Sequence, residues 1–70
     1  MNKKDRAERI LEQVILVRDT GATNMFDTNR VIEIAKMYNL NLLADFVSKH
    51  KKEYCDLIFD GNIEHIKKCL

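Results

Sequence analysis

Residues 10–17 read Ile-Leu-Glu-Gln-Val-Ile-Leu-Val, and this stretch decides the fold of the chain. Its apolar side chains recur at the spacing of an α-helix, and from Ile10 to Val17 they fill an arc of about 160° on a helical wheel. One packed helix face needs an arc of only about 100°. The stretch therefore predicts a helix with more apolar surface than one side can bury, and Leu16 lies outside even the wide arc.

Two glycines punctuate the chain, which contains no proline. Glycine readily adopts the left-handed conformation that ends a helix, so we expect the first helix to end at Gly21. Asn24 or Asp27 can cap the second helix by accepting backbone N–H groups. The turn-forming segment 39–41 then separates it from a third.

The remaining sequence predicts one long helix from about residue 42 to Gly61, with a kink or break near residues 48–51. We expect a single helical domain over residues 1–70, an all-α bundle of three to four helices. Residues 1–5 are polar and predicted to fray. Residues 62–70 are predicted to form a short C-terminal helix or tail.

The charge balance and the short apolar runs argue against two classes of partner. Lys and Arg number 12 against 11 Asp and Glu, so the chain lacks the basic field of a general nucleic-acid binder. The longest apolar run, residues 14–17, is too short to cross a bilayer, and no signal-peptide core is visible. These features predict a cytoplasmic protein with free Cys55 and Cys69 thiols, and neither nucleic acid nor membrane is the expected partner.

No motif for catalysis or metal binding stands out. The best metal ligands would be His50, Cys55, His65 and Cys69, but His50 and Cys55 lie about 140° apart on one continuous helix. Ser48 is the only serine, and no nucleophile accompanies a histidine and an acid in a known motif. The sequence therefore predicts a protein that is not an enzyme and holds no metal or cofactor.

A helix-turn-helix DNA-binding regulator is the alternative. Residues 30–50 have its outline, with Ala35 in the first helix. A recognition helix needs polar and basic groups on its outer face, however, and here that face offers Asn41 and the anionic Asp45. The lysines of residues 49–52 would have to supply the phosphate contacts.

The segment Arg18-Asp19-Thr20-Gly21-Ala22-Thr23-Asn24-Met25-Phe26-Asp27 combines charged, amide and large apolar groups. In a structural interpretation, Met25 and Phe26 fill the core between the first two helices. In a functional one, they anchor a partner while Arg18 and Asp19 form a polar rim. The two interpretations are compatible.

This segment, with Lys51-Lys52-Glu53-Tyr54 and the later Ile58-Phe59 before Gly61, resembles an uncharacterised family of very short proteins of phages and prophages of Firmicutes. The resemblance covers about residues 10–61 and leaves the tail outside. It implies a mobile-element origin, with no known activity and no catalytic residues. Proteins of this kind often act stoichiometrically, by docking on a host or phage protein.

An apolar fraction of 46% exceeds what so small a bundle can bury. We therefore expect a protein-interaction module in the host bacterial cell, for example an inhibitor of a host defence system or enzyme, or a homodimer. A site for a nucleotide signal would instead need Arg18 and Arg30 to converge. The candidate partner-binding residues are Leu16, Arg18, Asp19, Met25, Phe26, Met37, Ile63, Ile66 and Leu70.

Overall fold

Five α-helices account for most of the computed structural model, which describes residues 2–70 and shows no strand among them. They are α1 (Lys3–Thr20), α2 (Thr28–Met37), α3 (Asn41–Lys49), α4 (Lys51–Asp60) and α5 (Glu64–Lys67). The predicted all-α bundle is confirmed. It has four longer helices and one short helix near the C-terminal end of the chain.

The helix ends follow the expected signals. Gly21 has φ 64° and Gly61 has φ 72°, so both glycines close their helices in the left-handed conformation. Asp27 caps α2 by accepting the Arg30 N–H at 3.2 Å. Asn24, the other candidate cap, instead stabilises the loop.

Helix α1 begins earlier than predicted. The Asn2 side chain accepts the Asp5 N–H at 2.8 Å, and this cap starts the helix at Lys3. The expectation of a frayed segment is therefore corrected for residues 3–5, which form the first turn of α1. Met1 lies outside the described residues.

The long helix predicted from residue 42 to Gly61 is two helices that meet at His50. This residue has φ −135° and ψ 57°, outside the helical range, and is the only residue between α3 and α4. The break falls inside the predicted window, residues 48–51.

Helix α3 has no side-chain cap of its own, because Leu40 occupies the capping position. The Gln13 side chain of α1 provides one from a distance, since its Oε1 accepts the Leu43 N–H at 2.9 Å. This bond satisfies one of the backbone donors that a helix start leaves unpaired. It also ties α1 to α3 with a half-buried polar contact.

The core draws on every helix, and α2 packs most extensively on α3. Its buried side chains are Ala7, Ile10, Val14, Val17, Val31, Ile34, Ala35, Leu43, Ala44, Phe46, Val47, Tyr54, Leu57 and Ile66. Tyr38 continues the helical spacing of the buried Val31 and Ile34, but it is 57% exposed because the helix ends just before it. The C-terminal segment packs on α1 and α4 through α5.

Candidate functional site

Large apolar side chains remain on the surface of the described residues. They are Ile15, Leu16, Phe26, Met37, Tyr38, Phe59 and Leu70. The helical wheel had placed Leu16 outside the packed arc, and it is 56% exposed. Clefts next to such side chains are the natural places to look for a binding site.

One cleft lies beside the C-terminal half of α1, towards α2, and we call it the α1–α2 cleft. It has a volume of about 310 Å³ and is lined by Leu16, Thr20, Tyr38 and Leu40. The Thr20 hydroxyl donates to the Val17 carbonyl at 2.6 Å, so its hydrogen already has a partner within the chain. The cleft therefore offers a mostly apolar lining.

A second cleft, the α1–α4 cleft, lies on the opposite flank of α1 and has a volume of about 330 Å³. Its lining consists of Leu11, Val14, Ile15, Arg18, Met25, Leu57, Ile58 and Gly61. Arg18 is the only charged residue of this lining, and its guanidinium lies 3.5 Å from the Asp19 carboxylate. Two mainly apolar clefts thus flank α1. Ile15 lines one of them, and the next residue, Leu16, lines the other.

The loop between α1 and α2 separates the two apolar anchors that the sequence suggested. Met25 is half-buried against the core, and its carbonyl accepts the Tyr54 hydroxyl at 2.6 Å. Burial raises the pKa of Tyr54 well above its usual range, so the hydroxyl stays protonated and donates. Phe26 is 51% exposed, and the interpretation that it fills the core is wrong.

The three candidate partner-binding residues in the C-terminal segment line neither of these clefts. Ile66 is fully buried in the protein's own core, because α5 packs on α1, and the prediction that it contacts a partner is corrected. Ile63 is half-buried against the same core. Leu70 is 40% exposed and lines a separate cleft next to His50 and Cys69.

Met37 is 72% exposed at the end of α2, and Tyr38 of the α1–α2 cleft follows it directly. Of the candidates, Leu16, Arg18 and Met25 line the clefts, while Asp19, Phe26 and Met37 are each next in the chain to a lining residue. Spacing alone could not have added Tyr38, because its exposure depends on where α2 ends.

The α2–α3 connection has features of a helix-turn-helix. Asn39 takes a left-handed conformation with φ 59°, and Ala35 is completely buried beneath the turn. The outer face of α3 is poorly suited to DNA, however, since Asp45 is exposed there and pairs with Lys49 at 3.1 Å. This pair neutralises a cation that phosphate binding would need.

Several other basic groups are also paired, although Lys51 is in no ion pair among the described residues. Lys52 lies 3.0 Å from Asp56, whose hydrogen bond raises the pKa of the lysine. Arg30 pairs with Glu33 at 2.9 Å, while Arg18 pairs with Asp19. Arg18 and Arg30 are thus each matched to a separate carboxylate, and the geometry gives no support to an anion site shared by these two arginines.

A cluster that the sequence did not predict lies at the α3–α4 junction. His50, Glu53 and Cys69 bring a ring nitrogen, a carboxylate oxygen and a sulfur within 4.8 Å of one another, and all three residues are half-buried. Burial, with a smaller contribution from Glu53, raises the pKa of the Cys69 thiol. Two of the four metal ligands considered from the sequence are therefore adjacent, and Glu53 joins them.

The other two considered ligands have different surroundings. His65 Nε2 lies 2.8 Å from Asp60 Oδ2, and this hydrogen bond, helped by one from the Asn62 N–H, lowers the pKa of Asp60. Cys55 packs against the core. Both contacts are consistent with structural roles.

Within residues 2–70, none of the helices combines the length and the apolar character that a membrane span requires.

Fold and surface together define a small all-α domain whose apolar clefts lie along its first helix. The chain belongs to the family described as a domain of unknown function (DUF5049), which matches residues 6–62. The matched region contains α2, α3 and α4 completely and leaves α5 outside. Comparison with curated proteins and with solved structures finds no match.

Proposed function

We propose that this protein is a non-enzymatic interaction module that binds a partner protein stoichiometrically along α1. The observation that carries the proposal is the pair of apolar clefts on opposite flanks of that helix. Leu16 and Tyr38 are each more than half exposed and line the same cleft, and contiguous exposed apolar surface commonly marks an interaction site. Burying them against a partner would remove this apolar surface from water.

The lining of the clefts specifies the chemistry of the partner. Apolar walls accept apolar side chains, and an amphipathic helix presents such side chains in a row that can enter a groove between helices. Arg18 lines the α1–α4 cleft and pairs with the exposed Asp19, so the two side chains fit a polar rim. We therefore propose an amphipathic helix of another protein as the bound element.

The proposal extends to origin and setting. The motif at residues 18–27 resembles short phage and prophage proteins, which supports a role in the cytoplasm of a bacterial host. Inhibition of a host defence system or a host enzyme is the most concrete form of such a role. A homodimer that covers the same clefts is the competing arrangement.

Site-specific photocross-linking in a bacterial host tests the proposal. A photoreactive residue at position 16 lies in the α1–α2 cleft, and one at Glu8 lies on the exposed acidic face of α1 as the matched control. We expect one defined product from position 16 and none from position 8. The captured protein must then bind the purified chain at a one-to-one ratio. A product consisting of two copies of this chain would replace the proposal with a homodimer.

DNA binding is the second candidate, because the left-handed Asn39 and the buried Ala35 give the α2–α3 connection a helix-turn-helix geometry. It predicts binding to duplex DNA that weakens steeply with salt and is lost when the lysines at 49, 51 and 52 become glutamates. Fluorescence anisotropy with labelled duplex DNA at low salt measures this. Absence of binding under those conditions would eliminate the candidate.

A further inference from the structure

We infer that His50, Glu53 and Cys69 form a binding site for a divalent transition-metal ion, with Zn²⁺ as the ion that fits best. Their three potential ligand atoms lie within 4.8 Å of one another. His50 Nδ1 is 3.8 Å from Glu53 Oε1. Nitrogen, oxygen and sulfur donors on half-buried side chains are the set that Zn²⁺ takes in proteins.

The fold, rather than the local sequence, assembles this cluster. His50 is the residue between α3 and α4, and Glu53 lies in the first turn of α4. Cys69 follows α5, and the fully buried Ile66 anchors that helix in the core. The Phe46 ring, with its centroid 5.7 Å from that of the His50 ring, packs beside the imidazole.

The distances are close to those of a bound site. Zn²⁺ bonds of about 2.0–2.3 Å in a tetrahedron place neighbouring ligand atoms about 3.3–3.6 Å apart. Since no separation exceeds 4.8 Å, side-chain movements that shorten the widest one by about 1.2–1.5 Å would reach those values. Mg²⁺ and Ca²⁺ fit poorly, because they prefer oxygen ligands throughout.

Space for a fourth ligand is present next to the cluster. A cleft of about 270 Å³ is lined by His50 and Cys69, with Arg6, Asp45 and Lys49 among its polar residues. A water molecule from this cleft can complete the coordination.

Binding changes one hydrogen bond of the chain. The Cys69 thiol now donates to the His65 carbonyl at 3.3 Å. On binding, the thiol proton leaves to solvent and the sulfur electron pair forms the metal bond, so this hydrogen bond is replaced. The ion would then connect the C-terminal segment to the α3–α4 junction.

Titration of the tag-free, reduced, full-length chain with Co²⁺, a spectroscopic substitute for Zn²⁺, tests the inference. We expect one ion per chain, a thiolate-to-cobalt charge-transfer absorption band, and displacement of Co²⁺ by Zn²⁺. Loss of a group that only orients a ligand weakens metal binding by about 10–100-fold. Cys69→Ser removes a ligand, so it should weaken binding by more than about 100-fold and abolish the band.

Matched controls separate this site from adventitious binding. Cys55→Ser and His65→Asn remove the other cysteine and the other histidine, and both variants should keep the stoichiometry, the affinity and the band. Glu53→Gln should weaken binding by at least about 10-fold yet retain the band at saturation, because Cys69 is intact. Circular dichroism checks that each variant is folded.

The inference would be overturned by the absence of Co²⁺ and Zn²⁺ binding at micromolar concentrations. Equal loss of binding in Cys55→Ser, or unchanged binding in both Cys69→Ser and Glu53→Gln, would overturn it as well. These readouts do not involve the apolar clefts of α1, so they stand or fall independently of the proposed interaction function.

Discussion

Replacing Tyr54 with phenylalanine probes the contact that fixes the α1–α2 loop. The Tyr54 hydroxyl donates to the Met25 carbonyl at 2.6 Å, and the ring itself is fully buried. Phenylalanine keeps the ring and its packing, so Tyr54→Phe removes one hydrogen bond. The loop that carries Phe26 and lines the α1–α4 cleft loses its link to α4.

The size of the effect on stability follows from the partial burial of this bond. A net hydrogen bond contributes about 0.5–1.5 kcal/mol, and a buried carbonyl left without a partner costs about 1–3 kcal/mol. We expect Tyr54→Phe to lower the free energy of unfolding by about 1–2 kcal/mol. A core at this chain length provides only roughly 3–5 kcal/mol in total. Since 1 kcal/mol shifts the Tm of such a domain by about 4–8 °C, the Tm should fall by roughly 5–15 °C.

Urea and thermal unfolding followed by circular dichroism at 222 nm measure both quantities. Tyr38→Phe is the matched control, because Tyr38 is 57% exposed and its hydroxyl has no hydrogen bond among the described residues. This variant should stay within about 0.5 kcal/mol of the wild type. Equal stability of Tyr54→Phe and the wild type would refute the conclusion that the Tyr54 hydrogen bond fixes the α1–α2 loop.

Three further predictions concern the segments that hold the bundle together. Ile66→Ala should lower the free energy of unfolding by about 2–5 kcal/mol in urea denaturation, because Ile66 is fully buried; a loss below about 0.5 kcal/mol would show that α5 is dispensable. Gln13→Ala should lower the free energy of unfolding by about 0.5–2 kcal/mol, because it removes the cap of α3. Gln13→Glu keeps an acceptor for the Leu43 N–H and should retain the stability of the wild type. Identical melting of the two variants would contradict this role of Gln13. The hydrogen bond from His65 lowers the pKa of Asp60 below its unfolded value of about 3.9. The ionised Asp60 therefore stabilises the fold fully above about pH 3.9, and this stabilisation is lost as the pH falls through the folded pKa. Thermal melts from pH 7 to pH 3 should therefore decline less steeply for Asp60→Asn than for the wild type, and parallel curves would argue against the pair.

Local signals in the sequence predict the boundaries of the fold well. Gly21 and Gly61 end helices because each needs a positive φ, and Asp27 caps α2 because a short carboxylate can reach the Arg30 N–H. The broad apolar arc of α1 predicts correctly that Leu16 remains exposed. These features depend on residues within a few positions of one another, which is why the sequence reveals them.

Features that depend on distant contacts are not predictable in the same way. Ile66 has the same amphipathic pattern whether it packs on a partner or on α1, and only the position of α5 decides between them. Met25 and Phe26 are adjacent and similarly apolar, yet only Met25 faces the core. Cys69 reaches His50 across 19 positions of the chain (69 − 50), so spacing on a single helix could not reveal their proximity.

The proposed function depends on partner binding in the clefts along α1, and the partner captured there allows the most direct test of it. Size-exclusion chromatography with light scattering, on mixtures of the purified partner with each variant, measures complex formation. The wild type and Phe59→Ser, which removes an exposed phenylalanine outside both clefts, should form a one-to-one complex. The double variant Leu16→Ser, Tyr38→Ser should remain folded and form no complex. A complex of unchanged mass and yield with the double variant would contradict the account.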